Sequence, residues 1–295
     1  MKQGIYLVLL TALISGFSIF SNKIFVSQAD PLAFTTIRNV LVLGFLSFIL
    51  WQSGKFTVLK SLQKKDWLKL ITIGALGGGL AFALFFTGLS QIGAVQGSLI
   101  HKTLFLWVTL LAIPLLGERL HKIQLIGYGV ILFATFALGG SQILVFNSGS
   151  LLVLAATLLW AVENVLAKTT LKNVPAEVVG WARIALGLPV LLLITLVMGK
   201  GTLLVSEKTL LLWPLLTSSL FLTGYIYTWY KGLKFIPVTL ATSILVVAPV
   251  ITNFLTALFI TKQLPEMQIM QGFLLTIGVA FLLTRIILPR KLPVS

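Results

Sequence analysis

The sequence predicts an all-α polytopic membrane protein, with ten transmembrane helices arranged as two inverted five-helix repeats. Three observations carry that expectation. The chain holds ten long apolar stretches, it repeats itself about 145 residues later, and its Lys and Arg residues are distributed unevenly among the links.

Of 295 residues, 58% are hydrophobic and 10% charged, where soluble domains carry about 25% charged residues. The apolar stretches run near 4–26, 32–52, 70–90, 94–116, 123–141, 149–168, 177–198, 210–231, 237–261 and 267–288. As helices they match a hydrocarbon core of about 30 Å, and a helix satisfies its own backbone hydrogen bonds in lipid. They are too long and too uniformly apolar for barrel strands, which alternate over about 10 residues. Links such as 27–31 and 91–93 leave no room for a soluble domain. The first stretch follows Lys2. It exceeds the roughly 7–15 residues of a signal h-region and no A-x-A pattern follows, so it reads as a retained first helix.

The repeat is read from matched residues. Lys23 and Arg38 align with Lys168 and Arg183 at an offset of 145, as do Ala112 with Ala257 and Gly127 with Gly272. After a one-residue gap, Gly88-Leu89 aligns with Gly232-Leu233 and Ile92 with Ile236. The expected repeats are 1–145 and 146–295. Five spans in each force the second copy to enter from the opposite side. Inverted repeats of this kind typify secondary transporters, whose sites lie between the repeats near the midplane.

A net charge of +15 first suggests nucleic acid. Its placement points instead to topology. With the N-terminus in the cytoplasm, the cytoplasmic links hold Lys2, Lys55, Lys60, Lys64, Lys65, Lys69, Arg119, Lys122, Lys168, Lys172, Lys231, Lys234, Arg285, Arg290 and Lys291. The outer links hold Lys23, Lys200, Lys208 and Lys262, and Arg38, Lys102 and Arg183 fall inside spans, completing the 22. Fifteen against four is a positive-inside bias that sets both termini in the cytoplasm of a multi-pass cell (inner) membrane protein. Such links face anionic lipid, and nucleic acid is not an expected partner. With no cysteine, disulfides, thiolate chemistry and cysteine metal sites are excluded. No H-E-x-x-H, G-x-S-x-G or P-loop is present, and one acid lies deep in the spans. Catalytic residues, metals and cofactors are therefore not expected.

The candidate functional residues are those that are polar within spans. Glu163 is the acid well inside a span, and Arg183 lies in the next span. Both are equidistant from residue 173 in the link between them, so an antiparallel hairpin places them at similar depth. Glu163 reads either as a proton carrier or substrate-amine ligand, or as half of an ion pair that holds the hairpin. An ion pair offsets part of a burial cost of about 2.5–3.5 kcal/mol per mid-span charge. In the first repeat Ser18 stands at the position of Glu163, leaving Arg38 without an acid at matching height. Arg38 lies about 9 Å, and His101 and Lys102 about 11 Å, into their spans from the same side. Together these three would make a cationic pocket for a carboxylate or phosphate; apart, Arg38 and Lys102 would snorkel outward. His101 could titrate near neutral pH or serve packing.

Asn22, Asn39, Asn164 and Asn253 offer donors and acceptors in or near spans, and Asn22 and Asn164 are near-equivalents in the repeat. Trp51, Trp67, Trp181, Trp213 and Trp229 read as interfacial belt. Trp107 and Trp160 are mid-span, facing lipid or covering a solute's apolar surface. Tyr225 and Trp229, with Tyr227 and Tyr230 flanking, read as a wall or a belt. Gly74/Gly78 and Gly93/Gly97 have small-xxx-small spacing, Gly77-Gly78-Gly79 could let the third span flex, and Pro249 is placed to bend the ninth.

Several of these residues carry a family resemblance. Trp160-Ala161-Val162-Glu163-Asn164 with Lys168, the arginines Arg38 and Arg183, and Leu116-Gly117-Glu118-Arg119-Leu120 followed by Gly127 resemble the ten-helix EamA-type branch of the drug/metabolite transporter superfamily, over residues 4–288. The chain departs from that pattern at Lys262-Gln263-Leu264-Pro265, at Ser15, where tryptophan is common, and at His101-Lys102-Thr103-Leu104, in place of a stretch of small residues and proline. The resemblance implies helices 1–4 and 6–9 around a central cavity, with helices 5 and 10 peripheral. It also implies export of amino acids, metabolites or drugs by alternating access.

The expected function is secondary transport of a small organic solute, first an amino acid or related metabolite. The expected site residues are Arg38, His101, Lys102, Trp107, Trp160, Glu163, Asn164 and Arg183. Arg38 and Lys102 would attract a carboxylate, and Glu163 or His101 would serve if protons are the coupling ion. The alternatives are efflux of lipophilic cations, which Glu163 alone favours, and a structural or lipid-scrambling protein, which a packed apolar centre would favour. The lipid bilayer is the other expected partner. The sequence carries no signal for oligomeric state.

Overall fold

The computed structural model describes residues 1–136, 147–206 and 209–287. The ends of the fifth and tenth expected spans, at 137–141 and 288, lie outside the described residues, as do Lys208, Arg290 and Lys291. The ten helices are α1 (Lys2–Val26), α2 (Pro31–Gln52), α3 (Lys64–Gln91), α4 (Ala94–Leu116) and α5 (Lys122–Phe136), then α6 (Ser148–Thr170), α7 (Ala176–Val197), α8 (Leu212–Phe235), α9 (Val238–Thr261) and α10 (Glu266–Ile287). Eight are long and apolar enough to cross a membrane. The described part of α5 is shorter, at 15 residues. The remaining helix, α8, is 24 residues long but richer in Ser, Thr, Tyr and Trp.

Local chemistry sets where the helices begin and bend. Asp30 caps α2, accepting from the Leu32 and Ala33 amides at 3.0 Å, with Pro31 at the first helical position. Asn147 and Ser150 form a capping box at the start of α6. Helix α4 is interrupted at Thr103, whose amide bonds Ile100 O at 3.1 Å and whose hydroxyl bonds the same carbonyl at 2.7 Å. At the corresponding place α9 passes through a 3-10 turn, Leu245–Val247, just ahead of Pro249. The expected proline position thus falls at a change of helix type. The first repeat makes its own break without proline.

The two halves interdigitate. Helix α1 packs on α8 and, by the repeat relation, α6 packs on α3. Likewise α7 packs on α3 while α2 packs on α8, α6 packs on α4 while α1 packs on α9, and α2 meets α7. Thr11 and Thr228 (2.8 Å) tie α1 to α8, and Thr36 and Thr195 (2.9 Å) tie α2 to α7. Helices α5 and α10 pack against each other, at the edge that the family resemblance implies.

The lysines that mark the repeat have one structural job. Lys23 Nζ donates to Leu89 O (3.1 Å) and Ser90 O (3.4 Å) at the end of α3. Lys168 Nζ donates to Leu233 O (2.7 Å) and Ile236 O (2.8 Å) at the end of α8. Each satisfies carbonyls that a helix C-terminus leaves unpaired and sits at its negative end.

Of the two glycine pairs, only Gly74/Gly78 makes a close helix contact. A Cβ on Gly78 would lie 1.7 Å from Arg183 O, and one on Gly74 2.6 Å from the Leu186 Cβ, so α3 and α7 touch backbone to backbone. Gly93 has nothing within 4 Å, and Gly97 faces the side chain of Leu89 at the adjacent helix end. That pair belongs to the tight link between α3 and α4, not to a helix crossing. The glycine run is a π-helical segment, Gly74–Leu80. Such bulges loosen the backbone ladder and recur at functional sites.

The aromatic belt is corrected at one helix. Trp51 and Trp213 are exposed, as belt residues should be, but Trp229 and Tyr230 are fully buried. Helix α8 runs on to Phe235, four residues beyond the expected end at 231, so this pair lies deeper. Trp181 and Trp67 are half-buried, and Trp181 donates to Ser47 Oγ at 2.9 Å.

Candidate functional site

A cavity lies where the two halves meet. Helix α1 supplies Ser15, Ser18, Ile19 and Asn22, and α2 supplies Arg38. Helix α3 brings Phe82, Phe85 and Phe86, and α4 brings His101 and Leu104. The second half contributes Trp160 and Asn164 from α6, Arg183 from α7, and Leu222 and Tyr225 from α8. Among the described residues, helices α5 and α10 contribute no lining residue. Nor does α9, although the family resemblance implies a place for it around the cavity. Its buried face is occupied by α1: a Cβ on Gly16 would lie 2.6 Å from the Ile251 Cβ, and Thr252 Oγ1 donates to Gly16 O at 3.0 Å. Helix α1 thus stands between α9 and the cavity.

Arg38 is 1% exposed and does not snorkel. Its guanidinium lies over the rings of Phe86 (4.5 Å) and Phe82 (5.2 Å) and donates to Asn39 Oδ1 at 3.0 and 3.3 Å. Lys102 is buried too. It is not itself a lining residue, but its Nζ donates to Ser15 Oγ, which is, at 2.9 Å. Among the described residues neither Arg38 nor Lys102 has a carboxylate within ion-pair distance. His101 packs its ring edge-on to Trp160 (4.8 Å) and Phe85 (5.3 Å), and its Nδ1 is buried without a hydrogen-bond partner. Arg38, His101 and the Lys102–Ser15 pair therefore do converge on one cavity, within an aromatic wall.

The second half treats its arginine differently. Arg183 Nη1 lies 3.9 Å from Glu163 Oε2 and 3.4 Å from the Tyr230 hydroxyl, and Nη2 donates to Gly77 O at 3.3 Å. Tyr230 also donates a short hydrogen bond to Glu163 Oε1. The Gly77 carbonyl sits in the π-helical stretch and takes a second hydrogen bond, from Trp160 Nε1 at 2.9 Å. A Cβ on Gly77 would lie 2.6 Å from Glu163 Cγ, so this contact requires glycine. Glu163 and Arg183 meet as the hairpin geometry expects, yet only Arg183 reaches the cavity lining. Glu163 lies behind it.

Asn164 lines the cavity while its Oδ1 accepts from Trp229 Nε1 at 2.8 Å. Asn22 occupies the matching role on α1, donating to Ser18 Oγ at 2.9 Å and accepting from Ser218 Oγ at 2.5 Å. Trp160 lines the cavity, whereas Trp107 is half-buried outside the lining, its Nε1 bonded to Thr103 Oγ1 at 3.1 Å.

Sequence reasoning did not single out the phenylalanines of α3, because phenylalanine is common in any apolar span. It could not see Glu118 either. Its carboxylate accepts from the Val238 amide (2.8 Å), the Thr239 amide (3.0 Å) and the Thr239 hydroxyl (2.7 Å), capping α9 from across the halves. The signal was the Gly117-Glu118-Arg119-Leu120 turn itself, but its partner lies 120 residues away.

Comparison with known proteins agrees with this architecture. The model of the EamA-like transporter family matches residues 2–140 and again residues 147–284. An uncharacterized transporter of Methanothermobacter thermautotrophicus is 28% identical over 214 residues, which is 67% of this chain and 62% of that protein's length. The uncharacterized transporter YoaV of Bacillus subtilis is 25% identical over 92% of this chain and 94% of its own. YyaM, another uncharacterized transporter of Bacillus subtilis, is 26% identical over 94% of this chain and 92% of its own. A protein crystal structure matches with a TM-score of 0.68 at 22% identity, covering 94% of this chain and 98% of that one. At that identity it speaks to the fold alone.

Proposed function

The chain belongs to the EamA-like transporter family of membrane transporters of small solutes, and from that premise we propose that its central cavity carries a solute bearing a carboxylate or similar anionic group. One observation carries the reading: Arg38 and Lys102 are buried at the centre of the bundle with no carboxylate in reach among the described residues. Mid-membrane charges of this kind cost about 2.5–3.5 kcal/mol each and mark solute pathways. An anion arriving from solution offsets that cost and gains charge-assisted hydrogen bonds.

Carboxylate-bearing metabolites, amino acids among them, are the solutes in view, moved outward across the cell membrane by rocking of the halves, with both termini in the cytoplasm as the Lys/Arg distribution supports. Arg38 and Lys102 attract the anionic group, Trp160 and Asn164 shape the cavity, and Arg183 lines it while held by Glu163, Tyr230 and the Gly77 carbonyl. A proton-coupled cycle would use His101 or Glu163. The lipophilic-cation reading finds less support, since it needs Glu163 to face the solute and Glu163 is not among the lining residues described. The test is flux in proteoliposomes against labelled organic acids, amino acids and lipophilic cations, with and without a pH gradient. Saturable flux of a carboxylate-bearing solute, weakened about 10–100-fold in Arg38→Gln by loss of a charged hydrogen bond, is the expected result. Flux of cations alone would overturn the proposal.

A further inference from the structure

The charge balance and the hydrogen bonding of the lining say more than that the solute carries an anionic group. We infer that the cavity selects a net-negative solute with a planar apolar body, an aryl carboxylate, over the zwitterion with the same skeleton. This rests on the reading of the central cavity as the transport site.

The first argument is electrostatic. Around the cavity stand three cationic side chains, Arg38, Lys102 and Arg183, against one carboxylate, Glu163. That carboxylate is already engaged by Tyr230 and Arg183, and no acid is among the lining residues. A zwitterion brings no net charge and leaves the surplus cations uncompensated. Its ammonium is also repelled by them in a site of low dielectric, where such interactions are strong. A simple carboxylate removes one of the uncompensated charges.

The second argument comes from the acceptors an ammonium would need. Four of the neutral side-chain oxygens on the polar wall already accept from the protein. Asn22 Oδ1 takes the Ser218 hydroxyl, Asn164 Oδ1 takes Trp229 Nε1, Ser15 Oγ takes Lys102 Nζ and Ser18 Oγ takes Asn22 Nδ2. Arg183 Nε, by contrast, is a buried cationic donor without a hydrogen-bond partner among the described residues, and such a donor suits an anion.

The third argument concerns the body of the solute. Phe82 and Phe85 both pack on Trp160, Phe82 edge-to-face at 5.6 Å and Phe85 tilted at 5.2 Å between centroids. A flat ring fits such a wall through offset or T-shaped contacts, each contributing beyond area burial.

The experiment is calorimetric titration of the detergent-purified full chain with four probes. 3-Phenylpropionate, phenylalanine and phenethylamine share a phenyl ring and a short carbon chain but carry net charges of about −1, 0 and +1 at neutral pH. Succinate supplies carboxylates without a ring. We expect 3-phenylpropionate to bind at least about tenfold more tightly than phenylalanine, a difference of roughly 1.4 kcal/mol, with phenethylamine weaker still. Arg38→Gln should collapse that ratio. Phenylalanine binding as tightly as 3-phenylpropionate would overturn the inference and leave the carboxylate site standing. Binding of succinate but of none of the aryl probes would do the same. Tightest binding of phenethylamine, or no binding of any probe, would overturn the inference and the proposed site together.

Discussion

Arg38 and Arg183 occupy the same place in two copies of one repeat, and the protein has equipped them in opposite ways. Arg183 is held by Glu163, Tyr230 and the Gly77 carbonyl. Arg38 has Asn39 and two phenylalanine rings, and no acid within ion-pair distance among the described residues, while both arginines line the cavity and share Phe82. The difference traces to a few positions: Glu163 in the second half against Ser18 in the first, Tyr230 against Phe86, and Ile184 against Asn39. Features that repeat faithfully, such as the lysine caps Lys23 and Lys168, do structural work at equivalent helix ends. Features that break the repeat gather at the cavity and at the helix ends that would open it. Glu118 caps α9 at one face of the bundle, while its repeat counterpart Gln263 is exposed and only its backbone carbonyl takes a bond, from Thr261. The face bearing Glu118 also holds Glu177 paired with Lys55 (2.6 Å) and Lys231 (3.2 Å). At the other face Asp30 pairs with Lys200 (2.6 Å). The asymmetry teaches that the scaffold is shared, while the second half ties its arginine to an acid and the first half leaves its arginine without one among the described residues.

The comparison can be broken or sharpened by substitution. The largest effect is expected at Glu163→Leu, which strands Arg183 without its partner and should cost about 3–5 kcal/mol, read as a lowered unfolding midpoint in detergent. Its repeat counterpart Ser18→Ala should cost no more than about 1 kcal/mol, the net worth of one hydrogen bond. Equal losses would remove the distinction between the halves. Next comes Gly78→Ala, whose added Cβ meets the Arg183 carbonyl. Overpacking of about 1–3 kcal/mol is expected there, against no measurable change for Gly93→Ala in the same assay. The smallest effect is expected at Glu118→Ala, about 1 kcal/mol for a lost helix cap, with Gln263→Ala neutral. A loss at Gln263 matching that at Glu118 would show both faces capped alike.

Much of this fold is legible in the chain because the membrane leaves few solutions. Ten apolar stretches, a repeat and a charge bias suffice for ten helices in two inverted sets. The Glu163–Arg183 meeting is legible from equal distances to a link, and the change of helix type at Pro249 from proline's missing donor. What escaped was tertiary. Trp229 and Tyr230 read as belt because the end of α8 is set by packing and by Lys231 and Lys234, not by a loss of hydropathy. Glu118 and the phenylalanines of α3 acquire meaning only through partners on distant helices. The exclusion of α9 from the cavity depends on how closely α1 approaches it at Gly16, which no single-helix pattern encodes.

The central claim is that the first-half arginine binds and the second-half arginine holds. Parallel measurement of Arg38→Gln and Arg183→Gln, each for unfolding midpoint and for flux of a labelled carboxylate in proteoliposomes, tests it most directly. The account expects Arg38→Gln to keep its midpoint within about 1 kcal/mol of the parent while losing flux. Arg183→Gln should lose midpoint first, since it strands Glu163. Unchanged flux in Arg38→Gln, or equal destabilisation by the two substitutions, would contradict it.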